Sequence, residues 1–132
     1  MDDHVLVFEI TANLDETGEL EEFSWDLIPL VDPINTLHLD NNGLAKVGTM
    51  LQPGMILVGK IGKSKAYPAS RKPTDLEFNA LSFEELNRKF GHLWIDSSLR
   101  IPLDCYGEVI ESTILVRENS RPTAIVRLKF AS

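Results

Sequence analysis

A single cysteine, Cys105, is all that the 132 residues contain, so no internal disulfide can form. Long apolar runs are missing too, and none approaches the roughly 20 residues of a membrane-spanning helix. No basic stretch leads into an apolar core at the start, so the sequence carries no secretory signal. Together these absences predict a cytoplasmic protein or one of an equivalent compartment. The histidines His4, His38 and His92 lie far apart, none with a Cys or His at ligand spacing, so neither a metal site nor a cofactor is expected. Internal repeats and low-complexity tracts are absent as well.

Basic residues are missing from the first 40 positions. Eleven carboxylates stand there, from Asp2 to Asp40, without one Lys or Arg. Residues 41 to 74 reverse this with six bases (Lys46, Lys60, Lys63, Lys65, Arg71 and Lys72) and no carboxylate, and the remainder is mixed. The net charge of -7 argues against a general nucleic-acid binder, which needs a positive face for phosphates. The two charge blocks are read as solvated loops, with contact between the acidic and basic halves as the alternative.

What the chain does contain is a β pattern. Its hydrophobic fraction of 43% and charged fraction of 25% are those of a globular domain, and 132 residues suffice for one self-supporting core. Pro53 and Gly54 suit the central positions of a type II turn over Gln52 to Met55. The apolar Met55 to Val58 then opens a strand to Ile61 that is expected to be buried on both faces, with the rest packed around it. Asp3 to Thr11 predicts a first strand and Asp15 to Gly18 a turn. Phe23 and Trp25 at period 2 fall on one side of an extended segment, and Pro29 marks an edge or irregular crossing. Asn42 and Gly43 predict a β-hairpin between Thr36–Leu39 and Leu44–Val47. Lys63 to Thr74 predicts an exposed loop. Glu108 to Val116 and Thr123 to Phe130 make a closing hairpin, the second strand alternating Val126, Leu128 and Phe130 with Arg127 and Lys129.

The one helix expected is short, at about 83–90. Ser82 and Glu85 have capping-box spacing, Leu81 and Leu86 staple spacing, and Phe83, Leu86 and Phe90 share a face. Gly91 is placed to end it as a C′ glycine. The predicted fold is therefore mostly β: one compact barrel-like domain over residues 1–132.

Catalytic chemistry is hard to place on this pattern. Gly59 to Ser64 invites comparison with a phosphate-binding loop, but Leu57 stands where the motif needs its first glycine, and prolines follow where it needs a helix. Cys105 has no base beside it to lower its pKa, and Glu84 and Glu85 are neighbours on a helix that point apart. No catalytic residue is assigned.

Several pieces, in order, resemble the beta subunit of bacterial and plastid DNA-directed RNA polymerase: His38 to Gly48, Pro53 to Lys60, Leu86 to Gly91, Asp96 to Pro102 and Gly107 to Ile110. The resemblance covers about 38–130, whereas 1–37 match little of it. It implies the base of the flap, a β domain of the sandwich-barrel hybrid kind that borders the RNA exit channel and docks sigma and elongation factors. Two departures stand out. The family inserts a flap-tip helix between its last two strands, where this chain has only Glu118 to Pro122. It also continues into a basic, glycine-rich stretch near the catalytic centre, where this sequence ends at Ser132.

The expected function is thus a non-enzymatic protein-interaction module in or beside the transcription machinery, with a polymerase or a transcription factor as partner. No small-molecule substrate and no membrane are expected. An acidic surface with aromatics, Glu21, Glu22, Phe23 and Trp25, is the candidate protein contact. The alternative is nucleic-acid binding through the basic loop, with Lys60, Lys63, Lys65, Arg71 and Lys72 on phosphates and Tyr67 stacking on a base. A third reading is an adaptor or immunity-type protein that borrows the fold and uses its acidic surface on a basic partner.

Overall fold

The structure, a computed structural model, describes residues 3–68 and 80–131. Its framework is a four-stranded antiparallel sheet that curls into a half-barrel, in the order β1 (Asp3–Thr11), β9 (Thr123–Ala131), β8 (Gly107–Leu115) and β3 (Met50–Leu51). Alternation sets its faces. Ala124, Val126 and Leu128 are fully buried on β9 while Arg127 and Lys129 face outward, as expected from the period of two. On β8 the pairing slips between Val109 and Glu111, a β-bulge at Ile110. The extra residue turns both Ile110 and Glu111 outward and brings Ser112 and Ile114 back to the inner face. The Ser112 hydroxyl then donates to the Ala45 carbonyl at 2.5 Å.

The apolar stretch from Ile56 fills the half-barrel, as expected. Ile56, Leu57 and Val58 form β4 (Ile56–Val58), and all three are buried. They pack with Leu27, Leu44, Leu51, Ile101 and Val109 into one core. The turn before them is also as expected, with Gly54 at φ +85° and the Met55 N–H donating to the Gln52 carbonyl at 3.1 Å. The strand does not run on to Ile61, however. It stops at Gly59, and β5 (Lys60–Lys63) joins a different sheet, between β2 (Glu22–Phe23) and β6 (Trp94–Asp96). β4 itself pairs with β7 (Leu99–Arg100).

The break has a steric cause. The chain at Ser24 crosses directly over Gly59, giving the Ser24 N–H to the Gly59 carbonyl at 2.9 Å. A Cβ on Gly59 would sit 2.1 Å from the Ser24 carbonyl oxygen, so only glycine admits this crossing. Beyond it the chain turns at Leu27 to Leu30 with Pro29 buried, the irregular crossing expected there.

Three further expectations are corrected. Around Asp40 to Gly43 the flanks are single bridges, Leu39 with Ala45 and Leu44 with Val58, and Thr36 belongs to a 3-10 turn at Pro33–Thr36. The turn itself is closed by the Asp40 carboxylate, which accepts from the Asn42 and Leu44 N–H groups, an Asx arrangement that competes with strand pairing. Phe23 and Trp25 do not share a side. The chain bends at Trp25, so Phe23 packs against the core while Trp25 faces solvent. Helix α1 (Phe83–Phe90) begins as expected, the Glu85 N–H donating to Ser82 Oγ at 3.2 Å. Gly91, though, keeps helical angles and leads into a 3-10 turn rather than a left-handed cap. The helix buries Leu86 and donates from Asn87 Nδ2 to the Pro29 carbonyl at 2.7 Å.

These placements fix a stability order. Leu57→Ala should cost about 2 to 5 kcal/mol, because its site is fully enclosed. Gly54→Val should cost on the order of 1 to 3 kcal/mol from positive φ alone, since no atom lies near its would-be Cβ. Gly59→Ala must displace the Ser24 backbone and should be at least as damaging as Gly54→Val. Lys65→Ala should stay within about 0.5 kcal/mol of wild type. Urea denaturation of the four variants checks the order, and a Lys65→Ala cost equal to that of Leu57→Ala would refute the placement.

Candidate functional site

The acidic and basic blocks meet. The turn at Asp15 to Gly18, closed by the Leu14–Leu20 bridge, lies against β5, and each of its carboxylates finds a donor there. Asp15 accepts from the Lys63 backbone N–H at 3.0 Å and from the Thr17 hydroxyl and N–H. Glu16 accepts from the Lys65 N–H at 2.9 Å. Glu19 pairs with the Lys63 ammonium, which also lies 5.0 Å over the Tyr67 ring. Tyr67 in turn meets Trp94 edge-on at 5.4 Å.

The centre of this clasp is Lys60, a lysine only 4% exposed. Its ammonium pairs with Glu21 at 2.8 Å and donates to the Thr11 carbonyl at 3.1 Å. Glu21 is held from behind by the Asn13 N–H at 2.9 Å. Around Lys60 the backbone is also paired: its N–H donates to Ser98 Oγ, and its carbonyl accepts from the Ser97 N–H. Burial alone would raise the Glu21 carboxyl pKa, but the Lys60 and Asn13 donors outweigh it and leave the group below its ordinary value. Asp15 follows the same balance, partial burial raising it and the Thr17, Lys63 and Glu19 donors bringing it down. Lys63 is raised by its bond to Glu19.

Each candidate surface residue now has a place. Lys60 and Glu21 are spent on one another in the interior, and Lys63 is engaged with Glu19. Lys65 is exposed and Tyr67 half-buried, while Arg71 and Lys72 lie outside the described residues. Glu22 points to solvent, Phe23 lines the core, and Trp25 is 51% exposed beside the exposed Asp26. Reading the sequence did not single out Glu19, Asp15 or Thr11, whose partners lie 44 to 49 positions away. It also missed the exposed Ile34, Leu37 and Val47. Leu37 and Val47 flank the pairing in which Lys46 N–H donates to the His38 carbonyl, where an apolar surface stands open.

The remaining chemistry is structural in character. His38 Nε2 bonds the Ile56 carbonyl at 2.7 Å, and His4 packs on Phe130. Partial burial and the Asp104 carboxylate push the Cys105 thiol pKa up, away from reactivity. Among the described residues no cluster of His, Cys, Asp and Glu could hold a metal ion, and no helix is long and apolar enough to cross a membrane.

The clasp predicts two measurements. Glu21→Ala strands a buried ammonium and should cost roughly 3 to 5 kcal/mol, whereas Glu19→Ala breaks a solvent-facing pair and should cost at most about 1 kcal/mol. Combining Glu21→Leu with Lys60→Met should recover much of the loss, and a double-mutant cycle showing no coupling would contradict the pair. For pH, both Asp15 and Glu21 have folded pKa values below their ordinary 3.8 and 4.5. Their stabilisation is therefore present above those values and lost as pH falls through the lower folded ones. Denaturation midpoints should drop below about pH 4.5, less steeply in Asp15→Asn and Glu21→Gln.

No family model matches the chain. It is 33% identical over 107 residues to the DNA-directed RNA polymerase subunit beta C-terminal section of Stigeoclonium helveticum, covering 81% of this chain and 9% of that protein. It is 37% identical over 100 residues to DNA-directed RNA polymerase subunit beta of Wolbachia pipientis, covering 71% of this chain and 6% of that one. The chain thus spans less than a tenth of the length of the curated relatives it matches.

Proposed function

We propose that this chain, similar in sequence to the beta subunit of DNA-directed RNA polymerase, is a non-catalytic protein-interaction module, comparable to a flap base, acting in or beside the transcription machinery. The observation that supports this reading best is the fate of the charges. Of the described bases between Lys60 and Lys65, Lys60 is internal and Lys63 is neutralised by Glu19, which leaves Lys65 as the exposed, unneutralised base of that stretch. Trp25 meanwhile stands in solvent between the exposed Glu22 and Asp26. A large aromatic with an acidic rim is the kind of anchor that carries binding energy between proteins. Its partner, in this reading, is a polymerase subunit or a transcription factor.

The test is retention of purified RNA polymerase from the source cell on the immobilised chain. Binding is expected, with Trp25→Ala weakening it at least about 10-fold, roughly 1.4 kcal/mol. Retention of no polymerase subunit or transcription factor would defeat the reading.

A second reading rests on the exposed Lys65 beside the half-buried Tyr67. These residues, with Lys63, Arg71 and Lys72, would bind single-stranded nucleic acid, and that affinity must fall steeply with salt. A low-salt titration with no binding, or none lost in a variant with the four bases changed to Ala, removes it.

A further inference from the structure

Among the described residues the sheet ends in an open strand. β1 is terminal in the order β1-β9-β8-β3 and runs for 9 residues, whereas β3 at the opposite edge has 2. Natural edges are commonly blunted by Pro, Lys or brevity, and the sequence DHVLVFEIT has none of these. Its outer face carries Val5 and Val7, 48% and 47% exposed. On the inner face Leu6, Phe8 and Ile10 are only half-buried, although Phe8 and Ile10 pack on the core. Among the described residues, the half-barrel is therefore open along this side.

The direction of the backbone groups follows from two bonds. The ladder pairs Thr11 with Thr123, and the next step is the Ala12 N–H donating to the Pro122 carbonyl at 2.9 Å. Hydrogen-bonded pairs alternate in an antiparallel ladder, so the even-numbered residues of β1 address β9. The odd-numbered ones point to the free edge. Lys60 Nζ agrees, since it reaches the carbonyl of Thr11, an odd-numbered position. Val5, Val7 and Glu9 thus present N–H and C=O groups outward.

We propose that this edge pairs antiparallel with β1 of a second copy of the chain, about a two-fold axis at Val7, joining two four-stranded sheets into one. The register follows from charge and side-chain fit. Centred on Val7, Val7 meets itself, Val5 stands opposite Glu9, and Leu6 stands opposite Phe8 on the inner face, an aliphatic-aromatic pairing that stabilises sheets. Glu9 of one copy also comes to lie across Val5 from Lys129 of the other, two strand spacings away, because Val5 pairs with Lys129. Centred on Leu6, the same edge would set Phe8 opposite the exposed His4 and lose the Leu6–Phe8 pairing on the inner face. The edge is self-complementary in the first register and uses every outward backbone group from Val5 to Glu9.

The test is the molar mass of the 132-residue chain by sedimentation equilibrium over a concentration series. A monomer–dimer equilibrium is expected. Val7→Pro deletes only an outward N–H, so β1 keeps its ladder to β9 and the variant should be a folded monomer. Val7→Lys places two cations on the axis and should give the same result, which covers a failure of the proline variant to fold. In a Cys105→Ser background, Val7→Cys should cross-link to itself on mild oxidation, its Cα atoms being about 5.5 Å apart. Val5→Cys should not, its two copies lying roughly 14 Å apart. A wild-type chain that stays monomeric at every concentration would overturn the proposal, including one that pairs only with another protein. So would dimers that survive both Val7 variants, or cross-linking at position 5 but not 7.

Discussion

An ammonium group taken out of water has to be matched where it stands, and the Lys60–Glu21 pair imposes that condition on this fold. Lys60 belongs to β5, Glu21 directly precedes β2, and the second acceptor is the carbonyl ending β1. One side chain therefore ties the small three-stranded sheet to the end of the half-barrel. Isolated buried charges cost several kcal/mol each, so the geometry tolerates no loosening of any of the three segments. That the Glu21 carboxylate also accepts from the Asn13 N–H shows how the requirement spreads. Once Lys60 is inside, Asn13, Thr11 and Ser98 must be where they are.

The crossing at Gly59 makes that pair reachable. Ser24 passes so close to Gly59 that no side chain fits, and this contact puts Glu22 opposite Ile61 and Phe23 opposite Lys60. A bulkier residue at 59 would lift the acidic segment away from β5 and leave Lys60 facing a gap. Core packing and electrostatics are thus coupled through one backbone contact. The burial of Leu27 and Val31 just beyond the crossing anchors its other end.

Much of the fold was legible in the sequence because its signals are local. The Pro53–Gly54 turn, the buried Ile56 to Val58, the Ser82 cap and the alternation along β9 each need only a few neighbouring residues to specify them. The failures came where a distant segment, or a side chain competing with the backbone, decided. Gly59 looked like an ordinary strand residue because nothing near it announces the Ser24 crossing. Asn42–Gly43 looked like the tip of a hairpin, yet the Asp40 side chain closed the turn and left flanks of single bridges. Charge segregation was plain in the sequence, and contact between the halves was one of its two readings. Which carboxylate meets which base was not, since Asp15 and Lys63 stand 48 positions apart.

The clasp also changes what the net charge means. A chain with 20 acids and 13 bases is usually pictured with both spread over its surface. Here the acidic turn is drawn onto the bases at 60–65, so Lys60 and Lys63 contribute little outward field. Glu9, Glu22 and Asp26 remain in solvent, and the field felt by an approaching molecule is more negative than sequence order along the basic block suggests. Such a surface slows the approach of polyanions and speeds that of basic proteins. In the proposed role, Trp25 supplies the contact area and the neighbouring carboxylates select the sign of the partner. In that role the same intramolecular pairing that lets a lysine sit in the core would favour a protein partner over a nucleic acid.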